Sequence, residues 1–152
     1  TASREVVDLA AIAREVLAEL APAALAQRQT IELEAEGGAW PVRGSATLLA
    51  VLLRNLADNA LRYSGEGARL RVTLSREGAR TVLSVEDSGP GLSDEQRARL
   101  GERFFRVLGT QAPGSGLGWS IVRRIAGVHG AEVSTGRSAA LGGLVVRVRF
   151  AD

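Results

Sequence analysis

Between Ser45 and Arg62 the chain carries leucines at 48, 49, 52, 53 and 56, asparagines at 55 and 59, and an arginine at 62. On a helix the leucines form one stripe, while Asn55, Asn59 and Arg62, at i, i+4 and i+7, form a second. The leucine stripe has to be buried, so this helix must lie on another layer of structure. Asparagine is a poor helix former, and two of them in mid-helix call for a reason. Two readings fit. The stripe is a solvated helix face, or it is a ligand site: a carboxamide oxygen is a hard, neutral donor suited to Mg²⁺ that already carries phosphate oxygens. Arg62, one turn on, could then neutralise phosphate charge.

The rest of the chain supplies the layer. Leu9, Ile12, Val16 and Leu20 recur at helical spacing from Asp8, a cap, to Ala26. Residues 30–36 alternate Ile31, Leu33 and Ala35 against polar neighbours, as a half-buried strand does. Gly37-Gly38 ends that strand, and 40–42 supply a short further one. Strands are expected over 69–75 and 81–85 around a turn at Glu77-Gly78, and over 132–135 and 144–150. Ser93 caps a short helix to Leu100, and Leu117 to Val128 read as a third long helix. Residues 101–115 lack periodicity and read as a mobile loop. Helices and strands mix without strict alternation, which predicts a mixed sheet with helices on one face.

Two further segments carry chemistry. In VEDSGPGL, Asp87 ends an apolar strand before Gly89, Gly91 and Leu92. A carboxylate there can accept a hydrogen bond from an exocyclic amine such as adenine's, and the glycines allow close backbone approach. An ordinary strand-to-turn aspartate fits equally. Glu86, on the opposite side of the strand, is expected to be merely exposed. In GSGLGWSIV, Gly114, Ser115, Gly116, Leu117 and Gly118 open an apolar helix, where small residues and free N–H groups suit phosphate. The same glycines would also serve a flexible hinge. The spacing is GxGxG after a loop rather than GxGxxG after a strand, so a dinucleotide fold does not fit.

Composition closes off other chemistries. All nineteen basic residues are arginine. That excludes a Walker A loop, the strand lysine of eukaryotic-type kinases and Schiff-base catalysis. There is no cysteine, hence no disulfide, zinc ribbon or thiol nucleophile. The net charge is only +2, with six aromatics and no polybasic run, so nucleic-acid binding lacks its electrostatic footprint. No segment approaches the roughly 20 apolar residues of a membrane span. At 152 residues and 45% hydrophobic content the chain is long enough for one globular domain, residues 1–152. Its start at Thr1 suggests an excised piece. His129, the single histidine, stands at a helix end where an imidazolium favours the C-terminal dipole, and reads as a capping residue. Trp40 before Pro41 reads as core or strand edge.

Four motifs in this order and spacing resemble those of the catalytic, ATP-binding domain of bacterial two-component sensor histidine kinases, within the gyrase, heat-shock chaperone and mismatch-repair ATPase superfamily. LRNLADNALRYS (53–64) is similar to the asparagine box and EDSGPGL (86–92) to the first glycine box. RFFR (103–106), with Phe104 and Phe105, resembles the phenylalanine box, and GSGLGWSIV (114–122) the second glycine box. The resemblance implies a two-layer α/β sandwich, with a mixed, mainly antiparallel sheet backed by three helices and a flexible ATP lid.

By the same resemblance the cofactors are ATP and Mg²⁺. Asn59, assisted by Asn55, is the expected metal ligand, and Arg62 and Tyr63 meet phosphate and nucleoside. Asp87 reads the adenine amine, with Gly89, Gly91 and Leu92 beside it. Leu100, Trp119 and Val146 line the base pocket, and Arg106 reaches the γ-phosphate. Gly114, Ser115, Gly116, Leu117 and Gly118 fold over the phosphates. Asn59 and Arg106 are thus the expected catalytic residues. Trp119 replaces the family's usual leucine, which bears on pocket size. The phosphoacceptor hairpin is absent, because His129 follows the second glycine box.

The implied function is donation of the γ-phosphate to a histidine on a separate dimerisation hairpin, inside a cytoplasmic domain of an inner-membrane sensor. Its partners would be that hairpin and a cognate response regulator, without nucleic acid or direct membrane contact. The alternative is an interaction module of this fold with degenerate nucleotide binding. ATP hydrolysis is disfavoured: hydrolysing relatives place a glutamate where this chain has Asn55, and an amide cannot take a proton.

Overall fold

The computed structural model describes residues 5–89, 95 and 117–151. It is a two-layer sandwich. Five strands run in the order β2 (Thr30–Glu34), β4 (Arg69–Glu77), β5 (Arg80–Asp87), β7 (Leu144–Arg149) and β6 (Glu132–Arg137). Only β2 and β4 are parallel. A parallel pair needs a crossover, and α2 (Ala46–Ser64) provides it. With α1 (Leu9–Ala26) and α3 (Leu117–Val128), it forms the helical layer. The expected mixed, mainly antiparallel sheet with helices on one face is therefore present. The helix expected over 93–100 lies outside the described residues apart from Glu95, and the expected loop at 101–115 lies wholly outside them.

One element is not foreshadowed by the sequence. Residues Glu5–Asp8 form β1, paired antiparallel with β3 (Pro41–Gly44) in a separate two-stranded ribbon. Four residues are too few for periodicity to reveal. What fixes the ribbon is Asp8, whose Oδ1 accepts from the Ala10 N–H at 3.0 Å as the N-cap of α1, and from the Trp40 N–H at 2.9 Å. The Leu9 N–H returns a bond to the Trp40 carbonyl at 2.8 Å. One carboxylate thus starts a helix and ties it to the strand thirty residues on.

The leucine stripe of α2 does what its spacing requires. Leu49, Leu52, Leu53 and Leu56 are fully buried against Val72, Leu74, Leu83, Val85, Val146 and Val148 of the sheet, with Leu9, Ile12 and Val16 of α1 beside them. Truncating any one of these leucines to alanine costs about 2–5 kcal/mol. The far end of α2 is held by Gln29, whose Nε2 donates to the carbonyls of Leu61 and Gly65, both at 2.9 Å. Trp40 belongs to the core, with the Arg76 guanidinium stacked 4.6 Å from its ring centroid.

The outer sheet face is covered by arginines paired with glutamates: Arg69 and Arg71 with Glu32, Arg71 with Glu34, and Arg149 with Glu77. Exposed pairs of this kind contribute little each. Val82, the cross-strand partner of Arg149, and Val145 are buried although on the face away from the helices. No helix among the described residues is long and apolar enough to cross a membrane.

His129 does cap α3, but as a neutral ring. Its Nε2 accepts from the Ser45 N–H at 3.1 Å, so Nδ1 carries the proton and donates to the Ile125 carbonyl at 2.8 Å. The expected imidazolium is corrected by that second partner, which can only donate. Ser45 is itself the N-cap of α2, and Gly44 lies so close to the imidazole that a Cβ there would collide with it.

Asp8→Ala should lower stability by about 1–3 kcal/mol, since it removes a helix cap and a cross-element bond together. The Trp40 N–H chiefly holds the Asp8 carboxyl below its ordinary value. The carboxylate's contribution is therefore complete above the ordinary carboxylate range and lost as pH falls through the lowered value. Urea melts at neutral and strongly acid pH should show the gap between parent and variant closing in acid.

Candidate functional site

Asp87 stands at the end of β5. Leu70, Val72 and Leu74 pair with Asp87, Val85 and Leu83, so the Asp87 side chain emerges on the helix-facing side. It is only 5% exposed. Its Oδ1 accepts from the backbone N–H groups of Gly89 at 2.9 Å and Leu144 at 3.2 Å. Among the described residues no hydrogen bond is made to Oδ2. Burial pushes the Asp87 carboxyl above its ordinary value. The two backbone donors and the nearby Ser64 hydroxyl pull the other way without cancelling it. That hydroxyl is shielded from solvent and outside good hydrogen-bond geometry with any described group.

What holds Asp87 is the turn between β6 and β7, and here sequence reading missed the essential residues. Gly143 donates its N–H to the Asp87 carbonyl at 3.0 Å and lies so close that a Cβ would meet the carboxylate and the carbonyl at once. The turn is organised by buried Ser138, whose hydroxyl donates to Glu86 Oε2 at 2.6 Å and accepts from the Leu141 N–H at 3.0 Å. Glu86 is accordingly half-buried and engaged, not merely exposed. Alternation along β5 sends the two neighbouring carboxylates to opposite faces, and one steadies the loop that grips the other. The paired glycines at 142 and 143 before an apolar strand were the available signal.

The amide stripe of α2 faces the start of α3. A Cβ on Gly118 would lie 3.1 Å from Asn59 Nδ2 and 3.2 Å from Asn55 Oδ1, so only glycine lets the helix approach this closely. Asn55 spends its Nδ2 on the Val51 carbonyl at 2.8 Å, which turns its oxygen outward. Arg62 pairs with Asp58 one turn back at 2.9 Å, both partly exposed, a weak bond easily exchanged. Tyr63 is half-buried on the last turn of α2. Gly89 packs on Ser64 at the end of the same helix, a Cβ there coming 2.7 Å from the hydroxyl. Trp119 and Val146 are buried in the core.

The structure therefore sets Asp87, Gly89, Asn55, Asn59 and Gly118 against one helix. Gly91, Leu92, Leu100, Phe104, Phe105, Arg106, Gly114, Ser115 and Gly116 lie outside the described residues, as does the Leu117 side chain. Asn55 presents its Oδ1 and Asn59 its Nδ2 to Gly118, and a carboxamide oxygen, being a neutral donor, suits a hard divalent ion only when phosphate oxygens complete its shell. The described residues include no cluster of three or more His, Cys, Asp or Glu that could hold a metal alone.

Gly143→Ala should destabilise the fold by about 1–3 kcal/mol through forced overpacking against Asp87. Gly127→Ala, in α3 with open space around it, should be neutral or mildly stabilising. Thermal melts of the two variants distinguish a packing constraint from general tolerance of alanine.

The profile of a family described as "Histidine kinase-, DNA gyrase B-, and HSP90-like ATPase" matches residues 44–152. Sensor protein QseC of Escherichia coli strain K12 is 48% identical over 107 residues, 70% of this chain and 23% of that protein. Sensor protein kinase PmrB of Pseudomonas aeruginosa is 36% identical over 143 residues, 93% of this chain and 30% of that protein. The chain thus spans about a quarter of the length of these curated relatives. Among solved structures, the mycobacterial sensor histidine kinase MprB superposes with a TM-score of 0.86 at 27% identity, covering 96% of this chain and 97% of that one. The cytoplasmic segment of QseC superposes at 0.70 and 25% identity, covering 98% and 78%. An aspartate gripped at a strand end and two asparagines on the facing helix are the local form of a wider likeness, and this chain belongs to the histidine kinase-, gyrase- and HSP90-like ATPase family, on the sensor histidine kinase branch.

Proposed function

We propose that this domain binds Mg²⁺·ATP and donates the γ-phosphoryl group to a histidine on a separate dimerisation hairpin. The observation that carries the reading is the arrangement along α2. Gly89 and Asp87 abut its end at Ser64, while Gly118 abuts Asn59 and Asn55. Those contacts are spaced by about 8 and 14 Å along the helix at 1.5 Å per residue. That span suits a nucleotide laid along the helix, with its base at Asp87 and its phosphates at the asparagines.

Each residue then has a role. Asp87 Oδ2 accepts from the exocyclic amine of adenine. The amide oxygens of Asn59 and Asn55 would hold Mg²⁺, which supplies charge neutralisation to the phosphates. Arg62 exchanges Asp58 for phosphate, and the N-terminal turn of α3 offers free N–H groups. Transfer breaks the Pγ–O bond to ADP as the acceptor imidazole nitrogen bonds phosphorus, and the imidazole proton leaves to solvent. Positioning and charge do the work. No general base is needed for an imidazole, and Asn55 supplies none for water. The relatives are named as sensor proteins, which supports a place in a membrane-anchored sensor whose cytoplasmic part signals to a response regulator. One solved neighbour is the kinase ThkA with its response regulator TrrA.

Asp87→Asn should weaken ATP binding by about ten- to a hundredfold by calorimetry, the cost of a buried charge-assisted hydrogen bond. Equal affinity would overturn the placement of the base. The same variant should melt no lower than the parent without ligand. Because burial raises the Asp87 pKa, ionisation opposes folding as pH rises through that value, so the variant's advantage should grow with pH and vanish in acid.

Incubated alone with radiolabelled ATP, the chain should neither label nor release phosphate appreciably. Adding a dimerisation hairpin from a close relative should give acid-labile label on the hairpin histidine. Label on His129 would contradict the account.

A further inference from the structure

Asp87 marks one end of β5. At the other, six residues back along β5 and about 20 Å away, lies a groove of about 310 Å³. Its walls include Val6, Arg43, Arg76, Thr81 and Phe150, with the His129 ring at the back. We propose that this groove docks an acidic peptide segment of a partner protein, one that brings an apolar side chain flanked by carboxylates.

Charge is the first argument. Arg54, Arg62, Arg69, Arg71, Arg80 and Arg149 each face a carboxylate within the chain. Arg43 and Arg76 face none among the described residues, and no acidic side chain of a described residue lines the groove. Arg76 is not adrift either. Its guanidinium is stacked on Trp40, which fixes the plane and leaves the N–H edge available for bidentate carboxylate binding.

The second argument is apolar. Val6 is 62% exposed, and its cross-strand partner in the ribbon is Arg43, so the two side chains emerge on the same face. An exposed valine beside an exposed arginine is the composition of a mixed partner surface. The volume accommodates a few side chains of an extended segment and excludes a folded element. The groove is independent of the nucleotide reading, since it shares no residue with the Asp87 end.

The test is a nuclear magnetic resonance titration of the isotope-labelled chain with the blocked peptide Glu-Asp-Leu-Leu-Asp-Glu. Parallel arms use the same peptide with glutamine and asparagine replacing its acids, inorganic phosphate, phosphatidylglycerol vesicles and a single-stranded oligonucleotide. The acidic peptide should give saturable shifts at the amides of Val6, Arg43 and Arg76. Affinity should fall by about tenfold or more in Arg43→Glu and in the uncharged peptide. Arg43 is exposed on the ribbon, and retained spectral dispersion confirms folding. The proposal is overturned by an absence of saturable shifts up to millimolar peptide, or by affinity indifferent to charge reversal. Equal binding of the uncharged peptide or of phosphate alone, or preference for vesicles or oligonucleotide, overturns it too.

Discussion

The end of the sheet where β5 stops depends on keeping one carboxylate out of water with backbone donors alone. Asp87 Oδ1 is held by two backbone N–H groups. Neither donor is available unless two separate chain segments come within contact distance, the glycine turn after β5 and the turn before β7. Contact that close forbids a side chain at Gly143 and at Gly89. It also needs the β6–β7 turn to be rigid, which Ser138 and Glu86 secure. A residual mismatch remains in the raised carboxyl pKa, as expected where a site is poised for a ligand rather than for its own comfort.

The helical layer was legible because its signals are local and repeated. The leucines of α2 and the capping residues Asp8 and Ser45 do in the fold what their spacing implies. Strand bodies were legible from alternation, and their ends fell up to two residues from the expectation in either direction, as with Arg80–Asp87 against 81–85 and Thr30–Glu34 against 30–36. The β1–β3 ribbon was not, because Glu5–Asp8 becomes a strand only through pairing that a linear reading cannot see.

At the candidate site, the residues whose chemistry is unusual for their local structure, Asp87, Asn55, Asn59 and Gly118, were readable, and the residues that hold Asp87 were not. Ser138, Gly143, Leu144 and Glu86 look ordinary in sequence, and their importance arises from distances of 2.6–3.2 Å across 52 to 57 residues of chain. His129 shows the same limit from another side. Its position at a helix end was readable, whereas its neutral state follows from Ser45, eighty-four residues away in sequence.

The arginine-for-lysine substitution throughout the chain gives the outer sheet face an asymmetric tolerance. Guanidinium groups keep their charge far into alkaline solution, where an ammonium would release its proton. The Arg69 and Arg71 pairing with Glu32 therefore has no alkaline failure point of its own. Its weakness is on the acid side alone, where Glu32, held below its ordinary value chiefly by the Arg69 hydrogen bond, must eventually take a proton. Rising alkalinity leaves this pairing across β2 and β4 intact, and strong acid undoes it.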